Sequence, residues 1–146
     1  CLSLMAAGDR LQHINKVILP ALAEGKCVLS DRYLYSWIAN LRARGYTRDR
    51  WTDEIASYML EPDFAFFIDV PVQVAVERVR SRAAERDRYI DMELQYRLRR
   101  QYRRIAAQNK GILLSSLKSE DVLFSEILHH IERHRWLRHG PKRAGI

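Results

Sequence analysis

No run in these 146 residues comes near the roughly twenty consecutive apolar positions that cross a bilayer, and no basic-then-apolar leader opens the sequence. Membrane-spanning functions are therefore not expected. Cysteine is equally scarce. Cys1 and Cys27 have neither motif spacing nor a histidine-rich neighbourhood, so nothing points to a disulfide framework or a zinc site. A reducing, cytoplasmic setting is the default expectation, with Cys27 read as a small core side chain. Internal repeats and low-complexity segments are absent too. The remaining shortage is of lysine: arginine outnumbers it about four to one within a formal net charge of +7. Guanidinium is the group suited to bidentate anion recognition. Phosphorylated small molecules, nucleic acid and genomic base composition all remain open as causes of this bias.

What is present suits one globular domain with a real core. Leu11, Ile14, Ile18, Ala21 and Leu22 recur at helical spacing, predicting an amphipathic helix over Leu2 to Glu24, with a kink or new turn at Pro20 and a stop at Gly25. Cys27-Val28-Leu29 is short and apolar, as for a buried strand. A helical or irregular segment from Tyr33 to about Arg44 follows, then a short helix from Trp51 to Leu60. Phe64 to Val70 is the strongest strand pattern, aromatic and β-branched. Pro71 sits at a first helical position, and Val72, Ala75, Val76 and Val79 give the helical stripe. A charge-dense link, Arg82 to Asp91, precedes a helix from about Asp91 to Asn109, a strand at Ile112 to Leu114 and a last helix carrying Leu123, Ile127, Leu128 and Ile131. Residues 133–146 are basic and without period, and disorder is expected there.

Strands alternating with helices predict an α/β fold, a parallel sheet with helices on both faces. Ligands of such sheets bind at the carboxyl ends of strands. That rule selects Ser30-Asp31-Arg32 after the first strand and Asp69 after the second. An acid beside a crevice with a guanidinium able to fork onto phosphate is one reading of Asp31-Arg32. An ordinary turn with a surface ion pair is the other, and local sequence leaves the two about even.

The wider context is more specific. Ala6-Ala7-Gly8-Asp9-Arg10-Leu11-Gln12-His13, then Pro20-Ala21-Leu22, Gly25 and Val28-Leu29-Ser30-Asp31-Arg32-Tyr33 with Ser36 form a series, followed later by Pro62-Asp63 and Arg86-Asp87-Arg88-Tyr89. This series resembles the thymidylate kinase family over roughly Leu4 to Ile131, most densely between Ala6 and Ser36. The resemblance implies a P-loop kinase-type domain over residues 1–132, with a lid at about 82–91. It implies transfer of the terminal phosphoryl group of ATP, with Mg2+, to a nucleoside monophosphate, dTMP first. Carried over by position, Arg10 and Arg32 would grip the acceptor phosphate, Tyr33 and Ser36 would lie at the acceptor nucleotide, and Asp31 would sit near Mg2+ and its waters. Arg82, Arg86 and Arg88 would belong to the lid, Arg88 first. A homodimer paired through helices that include Leu2 to Glu24 is the family habit.

Two departures accompany the resemblance. No Gly-x-x-x-x-Gly-Lys loop occurs. In the family it follows a central strand, lying between those matching Cys27 to Ser30 and Phe64 to Asp69, so the sequence reads as an N-terminally truncated piece expected neither to bind ATP productively nor to fold stably alone. After Ser36 the family's Ala-Tyr-Gln-Gly-x-Gly is replaced by Ile38-Ala39-Asn40-Leu41-Arg42, and Met5 or Ala6 stands where an aromatic stacks on thymine. Base reading is therefore expected to differ. The alternatives are a related enzyme with another acceptor, a deoxynucleoside kinase, and a non-catalytic basic module binding a partner or, less expected, nucleic acid. His13 reads as a surface residue, the tyrosines Tyr89, Tyr96 and Tyr102 as packing, and Arg80, Arg97, Arg99, Arg100, Arg103 and Arg104 as solvated helix faces.

Overall fold

A computed structural model describes residues 2–46 and 50–133. The chain is mixed α/β and mostly helical: α1 (Leu2–His13), a π-helical turn (Ile14–Ile18), α2 (Leu19–Ala23), α3 (Leu34–Ala43), α4 (Arg50–Ser57), β1 (Phe66–Asp69), α5 (Val72–Arg80), a 3-10 turn (Ala83–Glu85), α6 (Met92–Gln108), β2 (Ile112–Ser115) and α7 (Glu120–Arg133). The expected basic tail lies outside the described residues from 134 onward.

The expected first helix is a continuous helical run whose disturbance precedes the proline. Pro20 has no amide hydrogen to donate, and its ring crowds the turn before it. The chain answers with wider hydrogen bonds, Leu19 N–H reaching Ile14 O five residues back. Ala7, Ile14 and Ile18 are nonetheless buried, with Leu34 and Met59, in one of the two apolar clusters among the described residues. Gly25, at φ 78°, ends the run in the left-handed region that suits glycine.

β1 and β2 pair in parallel, Phe66 opposite Ile112 through Asp69 opposite Ser115. Residues alternate across the sheet. Phe67 meets Tyr102 of α6 on one face (ring centroids 6.4 Å), and Phe66 meets His130 of α7 on the other (6.3 Å). Helices thus flank both faces, but the cover is partial, because Ile68 and Leu113 remain 54% and 43% exposed.

The expected strand at Cys27-Val28-Leu29 does not form. Residues 26–30 have no regular secondary structure, Cys27 is exposed rather than a core side chain, and Leu29 is 97% exposed. Apolar character favours burial, but a strand also needs a neighbour to bond its backbone. Among the described residues none pairs with this segment, and the sheet has two strands. The other boundaries hold closely. Pro71 is the residue before the first turn of α5, not within it, and Asp91 caps α6 by accepting from the Leu94 amide at 2.9 Å.

Gly111 is required by close approach. A Cβ there would lie 2.8 Å from Phe67 Cδ2, nearer still to Cε2, and 3.0 Å from Ala106 Cα. Phe67 and Ala106 are both buried in the second apolar cluster. Gly111→Ala is expected to cost about 1–3 kcal/mol by overpacking, measured by urea denaturation of the full-length protein. Adding Phe67→Leu should restore part of that loss.

Candidate active site

Arg10 lies near the end of α1 and Tyr33 directly before α3, and the packing of these helices through Ala7, Ile14 and Leu34, with Tyr33 against them, brings the two together. Burial pushes the Tyr33 hydroxyl up from its ordinary pKa, while the nearby Leu60 backbone and the charge of Arg10 pull the other way. Tyr33 Oη is buried without a hydrogen-bond partner of good geometry among the described residues. No carboxylate there pairs with Arg10 either. A buried donor and a half-buried guanidinium, both without an acceptor, suit an anion.

Asp31 and Arg32 are exposed just ahead of this pair. Arg32 has φ 53°, a left-handed conformation that costs a non-glycine residue about 1–2 kcal/mol. Such strain concentrates where a side chain must point a particular way. Asp31 offers one hard oxygen donor. Among the described residues no cluster of three or more histidine, cysteine or carboxylate groups could hold a metal alone. A magnesium ion carried by phosphates keeps most of its waters and takes one or two carboxylates from a protein, so Asp31 fits that role.

Ser36 is tied elsewhere. Its Oγ is 2.9 Å from Tyr102 Oη and its carbonyl accepts from Asn40 Nδ2 at 2.9 Å, so it fastens α3 to α6. Tyr102 packs against Phe67, as its reading as a packing residue expects. Tyr35, in the same helix, is pushed up by burial and by the charge of Glu61.

The lid arginines form a separate group. Arg82 and Arg88 both face Glu85, at 3.7 and 3.8 Å, and Arg86 is exposed beside them. Among the described residues no hydrogen bond or ion pair joins them to Arg10, Arg32 or Tyr33.

One ionic contact was not legible as such. Asp69, at the carboxyl end of β1, accepts from Arg99 Nε and Nη2 of α6 at 2.8 Å each, a two-bond fork. Hydrogen bonding to Arg99 holds the Asp69 carboxyl below its ordinary pKa against the effect of burial, with help from the charges of Arg99 and Arg103 and from the Val70 amide. The same bond raises Arg99. Ser116 N–H donates to Asp69 O at 2.9 Å, and Arg78 holds Ser116 through its Oγ and carbonyl at 3.1 and 2.8 Å. The carboxyl ends of both strands are thereby tied together.

A sequence model of the family described as Thymidylate kinase matches residues 1–127. The chain is similar to a probable thymidylate kinase of Pyrococcus abyssi, 36% identical over 129 residues covering 86% of this chain and 62% of that protein. It is similar to one from Thermococcus kodakarensis, 32% identical over 131 residues (89% and 63%), and to the thymidylate kinase of Halothermothrix orenii, 32% identical over 140 residues (88% and 66%). The chain spans just over six-tenths of the length of the first two of these curated relatives.

Proposed function

We propose, for a chain that belongs to the thymidylate kinase family, that the full-length protein transfers the terminal phosphoryl group of ATP to a nucleoside monophosphate, dTMP to dTDP. The domain is read as a P-loop kinase type in a cytoplasmic protein; no helix among the described residues is long and apolar enough to cross a membrane. What carries the reading is the convergence of Arg10 and Tyr33, two groups without an acceptor, with Tyr33 following Asp31-Arg32 directly in the chain.

In this reaction the bond from the terminal phosphorus to its bridging oxygen breaks as an oxygen of the acceptor phosphate bonds to that phosphorus. The attacking oxygen is already anionic, so positioning and charge neutralisation matter more than a base. Arg10 and Arg32 hold the acceptor phosphate, and Tyr33 Oη donates to it. Mg2+, when bound, neutralises the nucleotide phosphates, and Asp31 would orient its waters. Ser36 borders the acceptor nucleotide while its hydroxyl keeps α3 against α6; at least one lone pair of its oxygen stays free for a ligand, whichever hydroxyl donates in that bond. Arg88, Arg86 and Arg82 approach the transferring group as the lid closes, excluding water.

The acceptor base is tested by assaying the full-length protein with dTMP against dCMP, dUMP, dGMP and thymidine. Fastest turnover of dTMP is the expected result. Preference for another monophosphate moves the protein to a different acceptor, preference for thymidine makes it a deoxynucleoside kinase, and no turnover at all overturns the catalytic reading.

A further inference from the structure

A second anion site is suggested by α6, on residues other than the Arg10 and Tyr33 pair. Tyr96, Arg99, Arg100 and Arg103 line an open cavity of about 380 Å3, within the size range of small-molecule sites. Two of its walls are fixed from outside the helix. Gln73 Nε2 of α5 donates to Tyr96 Oη at 2.5 Å, holding a ring that is 41% exposed. Asp69 fixes the Arg99 guanidinium through both carboxylate oxygens. The cavity therefore holds three guanidinium groups against one neighbouring carboxylate. Arg100 and Arg103 are exposed, and among the described residues neither has an ion-pair partner. Like charges three and four positions apart on a helix repel, and bound phosphate would relieve that repulsion.

We propose that this cavity binds a nucleoside triphosphate, with phosphates on Arg100 and Arg103 and the base laid against the Tyr96 ring. Arg99, its charge matched by Asp69, forms a fixed wall beside them. An aromatic face anchored by its hydroxyl is a stacking platform that accepts any base. A local cavity on one helix favours a small polyphosphate over a polynucleotide, which needs a continuous basic track. None of the four lining residues belongs to the proposed acceptor-phosphate group, so this site stands or falls independently of the reading above.

Inorganic triphosphate, titrated calorimetrically into the full-length protein, is the first probe. In an Arg100→Ala, Arg103→Ala double variant one class of binding should weaken about 100-fold, since each charge-assisted contact contributes about tenfold. Arg32→Ala should leave that class unchanged. Tyr96→Ala should leave inorganic triphosphate binding intact while weakening uridine triphosphate about tenfold. All three positions are exposed on a helix, and alanine is a better helix former than either residue. An unchanged isotherm in the double variant overturns the proposal, as does loss seen only in Arg32→Ala. Binding of a single-stranded oligonucleotide through the same arginines, without triphosphate binding, also overturns it.

Discussion

Arg32→Ala in the full-length protein is expected to lower kcat/KM for thymidylate phosphorylation by about a thousandfold or more, the scale on which a guanidinium at a transferring phosphate contributes. Its urea midpoint should scarcely move. The side chain is exposed and has no ion pair among the described residues, so removing it takes little from the fold, within about 0.5 kcal/mol. Because φ is 53° at this position, Arg32→Gly should be equally inactive yet about 1 kcal/mol more stable than the alanine variant. Inactivity with retained stability separates a phosphate ligand from a packing residue. Normal activity in either variant would remove Arg32 from the site.

The largest stability effect should come from Asp69→Asn. It leaves Arg99 without its counter-charge in a half-buried position and loses both 2.8 Å bonds in their ionic form. With side chains 18% and 31% exposed, solvent repairs part of the damage, and about 2–3 kcal/mol is expected, below the cost of breaking a fully buried pair. Adding Arg99→Leu should recover most of the loss, because no unpaired charge then remains. The pair also sets an acid limit. The folded carboxyl titrates lower than the unfolded one, so folding favours its ionised form. That contribution is complete above the unfolded value near about pH 4 and drains away as pH falls through the lower folded value. Urea midpoints measured from pH 6 downward should therefore fall more steeply below pH 4 in the natural protein than in Asp69→Asn. Parallel profiles would show that the fork contributes nothing.

These contacts also show what could be read in advance and what could not. Phe66 to Asp69, the Asp91 cap of α6 and the stop at Gly25 follow from local chemistry, namely branched and aromatic side chains, a carboxylate at an open helix end, and a glycine at positive φ. Arg10 and Tyr33 stand within a motif, but their proximity comes from the packing of α1 against α3. Arg99 carried no local mark, since its partner lies thirty residues earlier and its neighbours Arg97 and Arg100 look the same in sequence. Val28 and Leu29 misled for the opposite reason: their apolar character is genuine, but strand formation depends on a neighbour that no residue of the segment can signal. The motif directs Ser36 toward a ligand, whereas its bond to Tyr102, sixty-six positions away on α6, emerges only from folding.

The π-helical turn at Ile14–Ile18 governs direction as well as bonding. Such a turn is an α-helix carrying one surplus residue, and each residue advances a helix by about 100°. The surplus residue is taken up inside the turn and not as rotation, so the helix on either side of it keeps its phase. Ala7 therefore stays on the buried face it shares with Ile14 and Ile18, and Arg10 on the side of Tyr33, although Pro20 denies the run its regular bonding. A helix that must aim an arginine can thus carry a proline, provided the wider turn precedes it.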